Sequence, residues 1–167
     1  NLTCYDPVVP LINTSVRGML VYGENGANAP RYRTWNGTNL SVELSMPVTG
    51  PVNWTVVKAA NKIDEFIAVV QKTSGAILMS VYNGTCWHNG TACNKALVVH
   101  NPFLNGAPYL NVSAFDVAYE NITGREDQIA IIAYSNKSNF TNYRLWNSTN
   151  KTLSDIRKIN ISFGGGV

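Results

Sequence analysis

The chain has 167 residues, of which 45% are hydrophobic and only 14% charged, with a net charge of +3. That is about one domain's worth of chain, long enough to bury a core, yet far below the roughly 25% charge of an average soluble domain. The 13 Lys and Arg are scattered, and no run of 18 apolar residues occurs. A basic nucleic-acid footprint and a helical membrane span are therefore not expected.

In chain order, residues 1–16 show no helical period, and Pro7 and Pro10 oppose a central strand or a helix. The segment reads as an extended N-terminal arm or edge strand. The remainder, 17–167, reads as one all-β domain. Its first unit has a strand over Gly18–Tyr22, a turn-rich stretch to Pro30, and a returning strand over Arg31–Trp35. Asn36-Gly37 then signals a tight turn. Leu40–Met46 alternates apolar and polar, the pattern of a half-buried strand.

The second unit starts with a strand at Trp54–Val57 and a loop over Lys58–Glu65. Phe66–Val70 is continuously apolar and β-branched, so a buried strand is expected. Ser74-Gly75 turns the chain, and a strand returns to Tyr82 before Asn83-Gly84. Cys86–Cys93 and a strand over Ala96–His100 follow. Pro102–Tyr109 is a connector broken by proline and glycine. In the third unit Phe115–Glu120 alternates and Asn121–Asp127 is a loop. Gln128–Tyr134 is the most apolar strand of the chain. Ser135–Asn142 is a polar loop, Tyr143–Trp146 returns, and Leu153–Phe163 is read as a last strand.

One phrase recurs: Tyr32-Arg-Thr-Trp-Asn-Gly-Thr38, Met79-Ser-Val-Tyr-Asn-Gly-Thr85 and Tyr143-Arg-Leu-Trp-Asn-Ser-Thr149. Each is an aromatic-ended strand entering a turn. Trp35, Tyr82 and Trp146 mark three units at the length scale of a four-stranded propeller blade, about 40–50 residues. The expected fold is all-β, with antiparallel strands in about three blade-like meander repeats; a β-sandwich is the alternative. Three such units leave apolar faces at the ends. A second copy of the chain can cover them, with Asn1–Val16 as the candidate donor strand.

The same turns carry N-x-[ST] sequons. These begin at Asn1, Asn13, Asn36, Asn39, Asn53, Asn83, Asn89, Asn111, Asn121, Asn136, Asn139, Asn147, Asn150 and Asn160, which is 14 of the 21 asparagines. With 24 Ser and Thr in the chain, chance places about three such triplets. The excess points to N-glycosylation at these residues, an exposed position for each, and an extracellular or cell-surface location. Sugar then replaces charge as the solubilising group. The chain opens on Asn1 rather than Met, already inside a sequon, and a removed leader or a trimmed chain is expected.

Cys86 and Cys93 read as a disulfide closing a short loop, and Cys4 is left for an intersubunit link or a free thiol. A metal site from Cys86, His88 and Cys93 lacks a fourth ligand, so no metal and no cofactor are expected beyond covalent glycans. No nucleophile elbow, P-loop or GxGxxG occurs. Asp116 and Glu120 share a face if their segment is a strand, but as solvated or paired acids rather than a catalytic couple. No catalytic residue is assigned.

The phrases FDVAYENITG, IAIIAYS, YRTWNGT and YRLWNST resemble blade-like β repeats of large secreted prokaryotic proteins. In its sequon density, low charge and wealth of Val, Tyr, Asn and Thr, the whole chain resembles archaeal thread-like surface filament proteins. That resemblance implies a β-rich, N-glycosylated subunit joined to copies of itself by donor strands. The expected role is a structural subunit of an extracellular filament or surface assembly, not an enzyme. The alternative is a cell-surface adhesin or a carbohydrate- or receptor-binding β module, which an exposed aromatic patch free of sequons would favour.

Overall fold

The computed structural model describes residues 2–5, 16–24, 26–102, 115–135 and 141–159, the first of these as backbone. Strands make up 52% of the described residues, so the fold is all-β, and they form three antiparallel sheets rather than the two of a sandwich. Sheet A is β1 (Leu2–Tyr5), β2 (Gly18–Tyr22), β3 (Arg31–Trp35) and β4 (Leu44–Ser45) in that order. Sheet B is β5 (Val52–Ala59), β6 (Phe66–Lys72), β7 (Ile77–Tyr82) and β8 (Trp87–His88), with β9 (Leu97–His100) also paired to β7. Sheet C repeats that plan. It is β10 (Phe115–Tyr119), β11 (Ile129–Ser135), β12 (Thr141–Asn147) and β13 (Thr152–Leu153), with β14 (Arg157–Ile159) also on β12.

Each sheet is thus a meander in which sequence neighbours pair, and the three follow one another along the chain. The outer edges of B and C are split between two short strands. Short edge strands leave little continuous backbone for a foreign strand to pair with.

The sheets stack face on face through two cores. Between A and B lie Met19, Val21, Tyr32, Val57, Phe66, Ala68, Val70, Tyr82 and Trp87. Between B and C lie Ile67, Val69, Ile77, Met79, Val81, Phe115, Val117, Ala130, Ile132, Tyr134 and Trp146. The unbroken apolar run of β6 has this cause: its residues Phe66–Gln71 are all buried, alternately against A and against C. Tyr32, Tyr82 and Trp87 meet edge to face, with ring centroids 5.4 Å from Trp87 to each tyrosine. Arg144 ties β12 to sheet B by donating to the Val98 carbonyl at 2.7 Å.

Three sequence expectations need correction. Leu40–Met46 is not a half-buried strand. Leu44–Ser45 alone forms a strand there, Leu40 makes an isolated bridge to Trp35, and Leu40, Val42 and Leu44 are exposed. There Ser41 competes with the ladder, accepting at Oγ from Thr34 N–H (3.0 Å) and donating to the Val42 carbonyl (2.8 Å). The loop set at Lys58–Glu65 starts later, because β5 runs to Ala59. Gln128–Tyr134, read as the most apolar strand, lies in β11 and alternates in burial, with Ile131 37% exposed, whereas β6 is buried throughout Phe66–Gln71. The last strand is two short pieces, β13 and β14, both on β12.

The start of the arm is an edge strand. Its first residues form β1, paired antiparallel to β2 of the same chain, with Cys4 opposite Leu20. The rest of the arm to Ser15, the connector after Pro102, the Asn136–Phe140 loop and the end from Asn160 lie outside the described residues.

Candidate functional site

Eight sequon asparagines are described, and none is buried. Asn36, Asn39, Asn83, Asn121 and Asn150 are exposed; Asn53, Asn89 and Asn147 are half-buried. Asn1, Asn13, Asn111, Asn136, Asn139 and Asn160 lie outside the described residues. Three of the eight, Asn36, Asn83 and Asn147, occupy one topological position, the turn leaving the third strand of a sheet. This is the structural meaning of the repeated phrase.

The local chemistry is shared too. Asn36 Oδ1 accepts from the N–H groups of Thr38 (2.9 Å) and Asn39 (2.7 Å). Asn83 Oδ1 accepts from Thr85 (3.1 Å) and Cys86 (3.0 Å) in the same way. Asn89 Oδ1 accepts from the Thr91 N–H (3.2 Å) and hydroxyl (3.1 Å) and from Ala92 N–H (3.0 Å). Asn147 Oδ1 accepts from Asn150 N–H (2.8 Å). In each the carboxamide oxygen builds the turn, an Asx motif, and Nδ2, the atom that takes a sugar, has no part in it. Gly37 (φ 99°) and Gly84 (φ 89°) supply the left-handed residue that follows.

Antiparallel strands turn alternately at the two ends of a sheet. The turns after first and third strands therefore share an end, and they hold Asn36, Asn39, Asn83, Asn121, Asn147 and Asn150. Asn53 lies at the opposite end of sheet B, at a register shift between Val52 and Trp54 that breaks the β5–β6 ladder.

The second feature is a buried polar node that the sequence reading missed. Glu65, 2% exposed, ends the β5–β6 turn and reaches into sheet C. Its Oε1 accepts from Tyr119 Oη (2.7 Å), Trp146 Nε1 (2.9 Å) and Ser148 Oγ (2.7 Å), and Oε2 meets Lys151 Nζ at 2.9 Å. Four donors on one carboxylate are what offsets its removal from water. Burial and the Glu65 charge hold the Tyr119 hydroxyl well above the ordinary tyrosine range, so it remains a donor.

Asp127, fully buried at φ +61°, answers from the other side: Oδ2 accepts the Lys62 N–H of the same β5–β6 turn. A cleft of about 220 Å³ opens here, lined by Asp64, Glu65, Gln128, Ser148, Thr149 and Lys151. The available sequence signal was the acid pair Asp64-Glu65 directly before the apolar run Phe66–Val70 in a charge-poor chain. Asp116 is exposed, and Glu120 pairs with Arg125 at 3.3 Å.

Cys86 and Cys93 form a disulfide with Cα atoms 5.8 Å apart, so their sulfurs bind each other. The cystine loop spans the gap between β8 and β9 and leans on sheet C. Gly90 (φ 99°) sits so close that a Cβ there would overlap the Lys151 carbonyl. His88 Nδ1 accepts from Gly90 N–H at 2.9 Å, and burial followed by the nearby Lys151 lowers its pKa, with Glu65 opposing. Among the described residues no group of three His, Cys, Asp or Glu is placed to hold a metal ion, and no helix is long and apolar enough to cross a membrane. Trp87 and Trp146 are buried in the two cores.

No protein-family model matches the chain, and no curated protein sequence matches it.

Proposed function

We propose that the chain is a structural subunit of an extracellular, heavily N-glycosylated assembly, built as a filament from copies of itself. The observation that carries this reading is the repetition of an accessible sequon, its carboxamide oxygen locked in the turn, at the same position of all three sheets. The sugars form the outer coat of a chain with too little charge to solvate itself. The Cys86–Cys93 disulfide and the short outer strands suit a protein that must persist outside a cell.

In this reading β1 is the exchangeable strand. Its ladder to β2 uses backbone groups that the β2 of any copy offers equally. Cys4, carried on β1, is the candidate link between copies.

The test has two parts. Mass spectrometry of native material should find glycans on Asn36, Asn83 and Asn147. Electron microscopy of the same material should show regular filaments. A Leu20→Cys variant places a thiol opposite Cys4 in register. With strand exchange, non-reducing gels of its filaments give a ladder of covalent multimers; with β1 retained in its own chain, they give monomer only. Bare asparagines or isolated particles at every concentration would overturn the reading.

A further inference from the structure

The two sheet-to-sheet contacts obey one rule. The first strand of each following sheet lies over the first two strands of the sheet before it. Thus β5 of sheet B touches β1 and β2 of sheet A, and β10 of sheet C touches β5 and β6 of sheet B. Among the described residues the rule leaves one position unfilled, the forward face of sheet C over β10 and β11. At that place there is an apolar cleft of about 190 Å³ lined by Asp116, Val117, Ala118, Ile131 and Ala133.

The register shows why the face is open. Ala130, Ile132 and Tyr134 of β11 are spent on sheet B, so Ile131 and Ala133 turn the other way, beside Ala118 and Asp116 of β10. Ile131 is 37% exposed. On sheet B the corresponding face is filled: Ile67 and Val69 of β6 are fully buried by sheet C.

At the other end of the stack, the back face of sheet A is likewise uncovered among the described residues. Met19, Val21 and Tyr32 face sheet B, while Leu20 and Arg33 pair across β2 and β3 on the opposite face and are only half-buried.

We infer that these two faces are partners: sheet A of a second copy of this chain stacks on sheet C, continuing the A-on-B-on-C packing from one copy to the next. Two further observations fit this occupant. The forward face exposes an acid, Asp116, and the back face carries a base, Arg33. None of the described sequon asparagines is among the residues of either patch. The six at one end of the sheets stand in or beside their turns, so sugars at these described positions stand clear of both patches. The contact is heterologous, head to tail. It therefore closes into a ring if the rotation per copy divides a full turn, and winds into an open filament if it does not. The inference rests on the reading of the chain as an assembly subunit and names its interface.

The experiment uses the glycosylated full chain and two variants. Ile131→Lys blocks only the forward face. Leu20→Glu blocks only the back face, and its charge opposes Asp116. Sedimentation velocity should show the unmodified chain associating, and each variant alone monomeric, with at least a tenfold weaker self-association. An equal mixture should form a 1:1 dimer that grows no further, since each variant still offers one intact face. Far- and near-UV circular dichroism checks that both are folded, and Ala118→Lys and Arg33→Asp serve as replacements if either is not.

If the unmodified chain associates and both folded variants associate as well, the interface lies elsewhere; this inference falls while the subunit reading stands. If one variant alone makes a stable dimer, the contact is isologous and the head-to-tail arrangement is wrong. An unmodified chain that stays monomeric at every concentration overturns both.

Discussion

Glu65 shows how much one side chain carries here. It joins the β5–β6 turn of sheet B to Tyr119, Trp146, Ser148 and Lys151 of sheet C. Removing one partner of a buried charged network leaves the others unsatisfied, which commonly costs about 3–5 kcal/mol. Lys151 is 40% exposed and can turn to water, so Glu65→Ala should lose less, about 2–3 kcal/mol. Urea denaturation measures this as a fall in midpoint at unchanged slope. Glu65→Gln keeps an acceptor at the Oε1 position and should lose less than Glu65→Ala.

Titration at the same scale has a definite sign. Tyr32, Tyr82, Tyr119 and Tyr134 are all held above the ordinary tyrosine range, chiefly by burial. The unfolded chain therefore ionises first. Their contribution is complete below about pH 10 and is lost as the pH rises further. His88 is shifted the other way, chiefly by burial, so the unfolded chain takes up its proton more readily. That contribution is present above about pH 6.5 and lost as the pH falls below it. Urea midpoints should form a plateau between these limits, and His88→Gln should make the acid-side decline shallower.

At the scale of elements, the turns and the cystine loop hold the outer strands in place. The Cys86–Cys93 bridge closes a loop with a sequence separation of 7. Chain entropy alone gives such a crosslink about 2–3 kcal/mol. Reduction should lower the thermal midpoint accordingly and free the Asn89–Asn94 loop first, read by hydrogen exchange of Thr91 and Ala92. Gly90→Ala should disturb the same loop with the disulfide intact, because its Cβ meets Lys151 backbone rather than a movable side chain. Gly124→Ala, with nothing near its Cβ, meets only the cost of a left-handed backbone (φ 87°), about 1 kcal/mol. The two glycines thus give a graded pair in a thermal melt.

For the whole molecule, the described residues form a stack of three sheets whose middle member is covered on both sides and whose outer members are covered on one. Stability should follow that order. Val69→Ala on β6 removes fully buried methyl groups and should cost about 2–3 kcal/mol. Ile131→Ala on the open face of sheet C should change the unassembled subunit by under about 1 kcal/mol. In the assembled form the loss at Ile131 should approach that at Val69. Equal losses in subunit and assembly would show that this face stays in water. Urea midpoints of subunit and assembly, measured side by side, decide it.

The sequence by itself determined where most of the long strands and the Asn-Gly turns fall. Gly18–Tyr22, Arg31–Trp35 and Phe115–Tyr119 were legible because apolar alternation and Asn-Gly turns are local signals. The recurrence of Trp35, Tyr82 and Trp146 before a sequon likewise marked the third strand of each sheet, since the same turn repeats with the same residues. Tertiary structure decided what those strands face. Apolar content could not rank β6 above β11, because burial depends on whether a second sheet lies across the strand. Nor could it reveal that Leu40, Val42 and Leu44 face water. Glu65 was silent in the sequence for the same reason. Its four donors come from Tyr119, Trp146, Ser148 and Lys151, more than 50 residues along the chain, and only the packing of sheet B on sheet C gathers them around one carboxylate.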